Sequence, residues 1–414
     1  MITPIRDLAA LAREVKKRRH AAAFDGALLA AVRLTLADVA KRGDTAVLAS
    51  VRRFDRPGAT AADLWATPVD LRRAARACPA ELRDAIDVAY GTIQAFHRKQ
   101  APKPIAHRTA ALSATLVPQP LRRVGACVPR GVRGYPSTAL MVGIPARIAG
   151  VAELVLASPM PRDGTIDPAL AYAALKVEAD GLYRAGGAAA VAALAYGTKR
   201  LEPVDKIVGP GNAHTTAAKW LVSAMVGIDG LQGPSELAIV ASSDADPAGV
   251  VLDLEAQAEH GGDPYAALIS DSSSLLAVVA VVVAQLGINR DNIGLFRAPS
   301  LAAALAAAIQ FAPEHLNLAG AKAARLAPRA RNAGAVFIGS QSAVAFGDYV
   351  AGSNHVLPTG GSARWASPLR VEDFVRWTTH VRARGRLTRL AAAGAAVARY
   401  EDMAFHAASM ELRG

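Results

Sequence analysis

Cysteine is nearly absent. Only Cys78 and Cys127 occur in 414 residues, too few for a disulfide framework, and the pattern fits a reducing, cytoplasmic setting. Aromatic residues make up 5% of the chain, which argues against a surface that stacks nucleic-acid bases. Long apolar runs are missing too. The most apolar, Leu275–Ala284, has ten residues, whereas a membrane span needs about 20; it reads as a buried helix. The N-terminus lacks the succession of basic, apolar and small residues that marks a signal peptide. There is no GxGxxG fingerprint, so an ordinary dinucleotide site has no motif behind it. Blocks of like charge are also lacking. The net charge of +12 is dispersed, with its tightest cluster at Lys16–Arg19. Nucleic-acid binding needs a concentrated basic face, so neither nucleic acid nor membrane is an expected partner.

What is present is an α/β rhythm. The first hundred residues read mostly as amphipathic helices, such as "GALLAAVRLTLADVAKRG" ending at Gly43. From about 108 the pattern turns to short β-like runs. Two series of alternating strands and helices follow. The first holds "AELVLASP", "GLYRAG" and "DKIVGPGN"; the second holds "SELAIVAS", "YAALISD", "NIGLFRA", "HLNLAG" and "GAVFIG". Such alternation implies parallel sheets joined by right-handed crossovers. The expected fold is α/β: two parallel-sheet, Rossmann-like units with N-terminal helices and a basic, helical C-terminal tail. The expected division puts residues 1–126 with the larger α/β domain, 127–235 in a smaller α/β domain, 236–367 in the larger domain, and 368–414 in the tail. Ligands in such sheets bind beyond the carboxyl ends of the strands, so polar residues just after strands are the first candidates.

Four polar clusters stand out. "EAQAEHGGDP" places Gln257 and His260 on one helix face. "FAPEHLNL" joins Glu314 to His315. "FGDYVAGSNHVLPTGG" holds Asp348, Tyr349 and His355 in a glycine-rich loop, and the tail carries Glu401 and His406. Imidazole and carboxylate suit zinc, but these groups are far apart in sequence and no spacing rule joins them. The turns "VPRG", "GPGN" and "GPSE" stand at strand ends. Each serves equally as a tight strand-to-helix turn or as a place for backbone to approach an anion.

Taken together, "YPSTALM", "IPARIAG", "GPGN", "GPSE", "QAEHG", "APEHL", "GDYVAGSNHVLPT" and the tail's ExxxxH occur in the order seen in the histidinol dehydrogenase family. The chain resembles that family from about residue 42 to His406. The resemblance implies a small-molecule substrate, L-histidinol, oxidised twice with NAD to L-histidine. It also implies one zinc per subunit and a homodimer whose C-terminal tail reaches the partner's active site. By motif position it implies Gln257, His260, Asp348 and His406 as zinc ligands and Glu314 and His315 as the catalytic pair. In that reading His315 is the general base and Glu314 activates water. Ser137, Ser235, Tyr349, His355 and Glu401 match substrate contacts, with His315, Asp348 and His406 also facing substrate. Residues 127–235 would carry the cofactor and 368–414 would be the dimerisation tail.

The cofactor positions depart from the pattern. The family's "YVPGG" is "CVPRG" here, so a dinucleotide-contacting tyrosine is Cys127 and a turn glycine is Arg130. The family's "GGAQA" is "GGAAA", so a glutamine is Ala189; Asn212 keeps its match. Two alternatives therefore stay open beside NAD-linked histidinol oxidation. One is a paralogue oxidising another small amino or hydroxyalkyl substrate. The other is a metal- and ligand-binding homologue without redox activity.

Overall fold

The structure, a computed structural model, describes residues 4–22, 25–286 and 290–414. Its strands, in chain order, are β1 (Ile5–Asp7), β2 (Trp65–Ala66), β3 (Ile105–Arg108), β4 (Leu112–Pro120) and β5 (Arg123–Cys127). They continue with β6 (Glu153–Ala157), β7 (Gly181–Tyr183), β8 (Lys206–Val208), β9 (Gly227–Ile228) and β10 (Glu236–Ala241). The last are β11 (Tyr265–Ser270), β12 (Ile293–Arg297), β13 (His315–Ala319), β14 (Ala335–Ile338) and β15 (Val375–Ala383).

They form two six-stranded sheets and a three-stranded one. One large sheet runs β1-β12-β11-β10-β13-β14 and every pairing in it is parallel. The other runs β2-β7-β6-β5-β8-β9 and is parallel except where β2 meets β7. Helices cover both faces, so the inner strands are buried on both sides and carry unbroken apolar runs. All six residues of β10 and all six of β11 are buried. Strand order reverses at β5, whose neighbours are β6 and β8, and at β10, whose neighbours are β11 and β13. Each reversal opens a crevice between diverging connections.

The chain divides into two compact units. One holds Met1–Gln100 and Leu121–Phe374, with both large sheets; the other holds Ala101–Pro120 and Val375–Gly414. In the second unit β4 pairs antiparallel with β3 and with β15. Helices Thr388–Tyr400 and Ala404–Glu411 pack on each other there through Ala395, Ala398 and Ala407. The tail is thus not purely helical, as its composition suggested. It opens with a nine-residue strand in "VRWTTHVRA", rich in β-branched and aromatic residues.

The N-terminal helices also distribute differently from expectation. β1 and the helix Leu8–Ala22 pack on the sheet that holds β10. The helices Gly26–Arg42 and Asp44–Phe54 pack instead on the sheet that holds β5. Their Val32, Leu36, Val39, Val47 and Val51 share one core with Val191, Leu194 and Val222. Helices Pro68–Ala75 and Ala80–Arg98 join that same half, against Pro168–Lys176 and Pro136–Ala149. Apolar periodicity shows that a helix has a buried face, but not which sheet receives it. The run Leu275–Ala284 lies in the helix Ser273–Leu286 and is buried on one face only: Val278 and Val281 are exposed. Among the described residues no helix is long and apolar enough to cross a membrane.

Candidate active site

The polar cluster of the β10 sheet lies at the amino ends of its strands, the opposite edge from the one expected. Ser235 immediately precedes β10 and Glu314 immediately precedes β13. The parallel register sets His315 beside Leu237, which brings the two chain entries together. Glu314 Oε2 accepts hydrogen bonds from Ser235 Oγ at 2.5 Å and from the Glu236 amide at 3.2 Å. Gln257, on the helix Pro247–Ala258, donates to Ser235 Oγ at 2.7 Å.

His315 is 2% exposed, and neither ring nitrogen has a hydrogen-bond partner. Nδ1 lies 3.7 Å from Glu314 Oε2, and Nε2 lies 3.9 Å from Asp348 Oδ1. The ring rests against Phe337. An orphaned buried polar group is costly, and two on one ring facing carboxylates mark a place built for something else to bind.

Asp348 sits on the short helix Ala345–Tyr349, and its carbonyl faces His355 Nδ1 at 2.9 Å. His355 Nε2 faces Thr138 Oγ1 at 3.3 Å. Thr138 follows the half-buried Ser137 in the first turn of the helix Pro136–Ala149, so this helix belongs to the site. The loop before His355 is anchored by Asn354. Its amide donates to Met141 O at 2.7 Å and faces His97 Nε2 at 3.3 Å. Tyr349 is exposed beside Asp348.

Burial dominates the electrostatics. It pushes the Glu314 carboxyl up to about 7 against the stabilising Ser235 hydrogen bond. It pushes the His315 imidazole down to about 4, against the pull of Asp348. His355 is likewise pushed down to about 4 by burial, and Asp348 is raised by burial against the nearby His315 and His260. A second carboxylate, Glu236, is pushed up to about 8 by burial and by the charge of Glu314. An ordinary imidazole would make His315 the group that titrates near neutrality; in this buried setting that group is Glu314.

The expected metal donors converge in part. His260 Nδ1 faces the carbonyls of Ala256 and Gln257 at 3.1 and 3.2 Å. That tautomer leaves Nε2 with its lone pair free, as a metal-ligating histidine requires. His260 and Asp348 are close enough to interact electrostatically with each other and with His315. Gln257 adds an amide at the same strand edge. This donor set fits a borderline cation such as zinc in kind. Among the described residues, however, no group of three His, Cys, Asp or Glu side chains stands in metal-binding geometry. Glu401 and His406 belong to the second unit, where both are exposed.

The expected cofactor positions lie in the other large sheet, at the carboxyl ends of its strands. Cys127 ends β5 beside the strand-order reversal; it is buried, and its thiol is pushed up to about 11 by that burial. Ala189 lies in the first turn of the helix Gly187–Tyr196 and inside the core. Asn212 caps the helix Ala213–Val222, its side-chain oxygen accepting from the Thr215 amide at 3.0 Å. Gly209, between β8 and that helix, has φ +95°, and a Cβ there would come within 2.3 Å of the Cys127 carbonyl. Gly187, at φ +61°, has open space where a Cβ would stand. Two ten-residue helices thus start over this edge from glycine turns, the setting in which backbone N–H groups receive phosphate. Arg130 stands just past β5, and its Nη2 donates to the Val132 carbonyl. Glu236, Thr138, His97 and Asn354 also line or support the site around Glu314 and His315, and none of them stands out in the sequence.

A family model described as Histidinol dehydrogenase matches residues 17–414. A histidinol dehydrogenase of Rhodopseudomonas palustris is 41% identical over 406 residues, covering 93% of this chain and 92% of its own. One of Saccharolobus solfataricus is 38% identical over 375 residues, covering 91% of this chain and 93% of its own. Among solved structures, histidinol dehydrogenase from Elizabethkingia anophelis superposes with a TM-score of 0.88 at 30% identity. That match covers 94% of this chain and 92% of the other.

Proposed function

The chain belongs to the histidinol dehydrogenase family, and we propose that it oxidises L-histidinol to L-histidine through histidinal, the closing steps of histidine biosynthesis. The observation that carries this reading is the buried His315, both nitrogens unpartnered, beside a Glu314 held by Ser235. A primary alcohol must lose a hydride and a proton to become an aldehyde. The hydrated aldehyde must do so again to become an acid. NAD, when bound, supplies the hydride acceptor, and the glycine turns and helix starts around Gly187 and Asn212 would hold its phosphates.

Proton handling falls to this chain's own side chains. His315 is neutral at physiological pH and Nδ1 is turned to Glu314, which leaves Nε2 for the substrate hydroxyl. Glu314 has the higher affinity for the proton and stands 3.7 Å away, so it takes the charge off the imidazole. In the second stage Glu314, ionised again once that first proton has passed to solvent, accepts a proton from water as the water adds to the aldehyde. A base titrating near the working pH is the efficient choice for both tasks. Ser235 and the Glu236 amide hold the Glu314 carboxylate in place throughout.

Zinc would be held by Gln257, His260 and Asp348, with His406 from a second copy of the chain as fourth ligand; when bound it supplies a Lewis-acidic anchor for the substrate's nitrogens. Ser137, Tyr349, His355 and Glu401 would complete the substrate contacts. The unit of function is then a homodimer with shared sites. A cytoplasmic setting suits the two buried, unpaired cysteines.

The test is a turnover assay on zinc-loaded protein with L-histidinol, offered NAD and separately NADP, following reduced cofactor and histidine together. Two reduced cofactors per histidine are expected. No turnover, with histidinol still binding by calorimetry, would sink the redox reading in favour of a binding homologue.

A further inference from the structure

Lys219 lies on the helix Ala213–Val222 and is 1% exposed. An ammonium in such a place carries a large desolvation cost unless every proton is matched. Here each is. Nζ donates to the Gly209 carbonyl at 3.1 Å, to Gln232 Oε1 at 2.8 Å, and to Asp229 Oδ1. Three donors meet three acceptors, which exhausts a lysine. Asp229 closes the circuit, because its other oxygen accepts the Gly209 amide at 2.7 Å. Both backbone polar groups of Gly209, its N–H and its carbonyl, are therefore held by one buried ion pair.

The three acceptors belong to segments with different duties. Gly209 begins the turn that leads to Asn212, on the cofactor side. Asp229 and Gln232 lie on the loop that delivers Ser235 to Glu314, on the substrate side. That loop has further ties: Thr216 Oγ1 donates to the Gln232 carbonyl at 2.7 Å, and Thr359 Oγ1 accepts from the Gly233 amide at 2.5 Å. Two residues on, Ser235 makes its bond to Glu314. The Lys219 ammonium bonds the cofactor turn and two side chains of the substrate loop from one atom; Thr216 Oγ1 also touches both segments, through the Asn212 and Gln232 carbonyls at 3.2 and 2.7 Å.

We propose that Lys219 is a positioning residue for the oxidation: it locks the Gly209–Asn212 turn to the Asp229–Ser235 loop and so sets the distance between hydride donor and acceptor. This rests on the histidinol dehydrogenase reading above. Hydride transfer is sensitive to that distance, and a displacement of ~1 Å costs roughly 100-fold in rate. Substrate affinity is set elsewhere, by the groups around Glu314 and Asp348, and is left intact by a shift of the turn.

Two variants separate this role from simple support of the core. Gln232→Met removes the tether nearest Ser235 while leaving the Lys219–Asp229 pair and the Asp229 bond to the Gly209 amide whole, so no unpaired charge is buried. Lys219→Met combined with Asp229→Asn removes both charges together. Each is measured beside wild type for kcat, for the KM of L-histidinol and NAD, and for L-histidinol affinity by calorimetry, with circular dichroism as the control for folding. Gln232→Met is expected to fold, to bind L-histidinol within about twofold of wild type, and to lose about 10- to 100-fold in kcat. The double variant is expected to show the same split; if it does not fold, Gln232→Met decides. A kcat within twofold of wild type in Gln232→Met would overturn the proposal, as would a loss confined to melting temperature or to histidinol affinity. Absence of histidinol oxidation by wild type would instead overturn the reading of function on which the proposal stands.

Discussion

Glu236 sits at the head of a strand buried on both faces and next to a second carboxylate. Nothing on either side of it in "GPSELAIVAS" distinguishes it from a strand-capping residue. Its pKa is raised to about 8, first by burial and then by Glu314, while the unfolded chain returns it to an ordinary 4.5. Below 4.5 both states hold the proton, and the group's contribution to stability is fully present. As pH climbs toward 8 the unfolded state ionises freely and the native state does not, so that contribution is lost. Glu236→Gln keeps an oxygen for the Gly360 amide, which now donates to Glu236 Oε2 at 3.0 Å. Thermal melts should show the two proteins nearly equal at pH 5 and the variant higher by about 2–4 °C at pH 8. A difference that does not change with pH would refute the assignment. The neighbours Glu314 and His315 were legible as a pair from "APEHL" alone. Their working states were not, because burial lowers one and raises the other, and a sequence does not display depth.

At the scale of elements, the site depends on how the short helix bearing Asp348 is held. Asp253, on the helix Pro247–Ala258, accepts from Asn317 Nδ2 at 3.0 Å and from the Val344 amide at 3.2 Å. One carboxylate thus joins a crossover helix, the middle of β13 and the approach to Asp348. Asp253→Ala leaves the Val344 N–H unsatisfied, at about 1–3 kcal/mol, and leaves Asn317 Nδ2 with only its longer bond to the Ser342 carbonyl at 3.3 Å. A lower urea midpoint with unchanged slope is expected, together with a fall in kcat; an unchanged midpoint would show the link to be idle. The strands themselves were read correctly from their apolar runs and intervening glycine turns, from "AELVLASP" to "GAVFIG". The edge was not. The general expectation favours carboxyl ends, and the β5 sheet places Cys127, Gly209 and Asn212 there. The β10 sheet instead places its chemistry at the amino ends, in Ser235 and Glu314. Strand direction in the chain says which residues precede a strand, not which rim of the sheet faces a ligand.

At the scale of the whole molecule, Gln257, His260 and Asp348 lie in one unit and His406 in the other. If the tail serves a second copy of the chain, chains defective in different units should complement. His315→Asn and His406→Ala chains, each inactive alone, are mixed, unfolded and refolded together. Random pairing makes half the dimers mixed, and each mixed dimer carries one intact site, so about a quarter of wild-type activity should return. No recovery would assign the tail to its own chain. The reversed edge of the β10 sheet has a practical corollary. At its carboxyl rim the polar groups close on one another: Asp244 accepts the Ala321 amide and Ser340 accepts the Gly320 amide, at 2.9 and 3.1 Å. Turns that carry ligands in other α/β enzymes are here bonded to one another. A dye or affinity handle attached at the exposed Ser243 would travel on the rim opposite Ser235 and Glu314, and is expected to leave histidinol turnover within about twofold of the unlabelled protein.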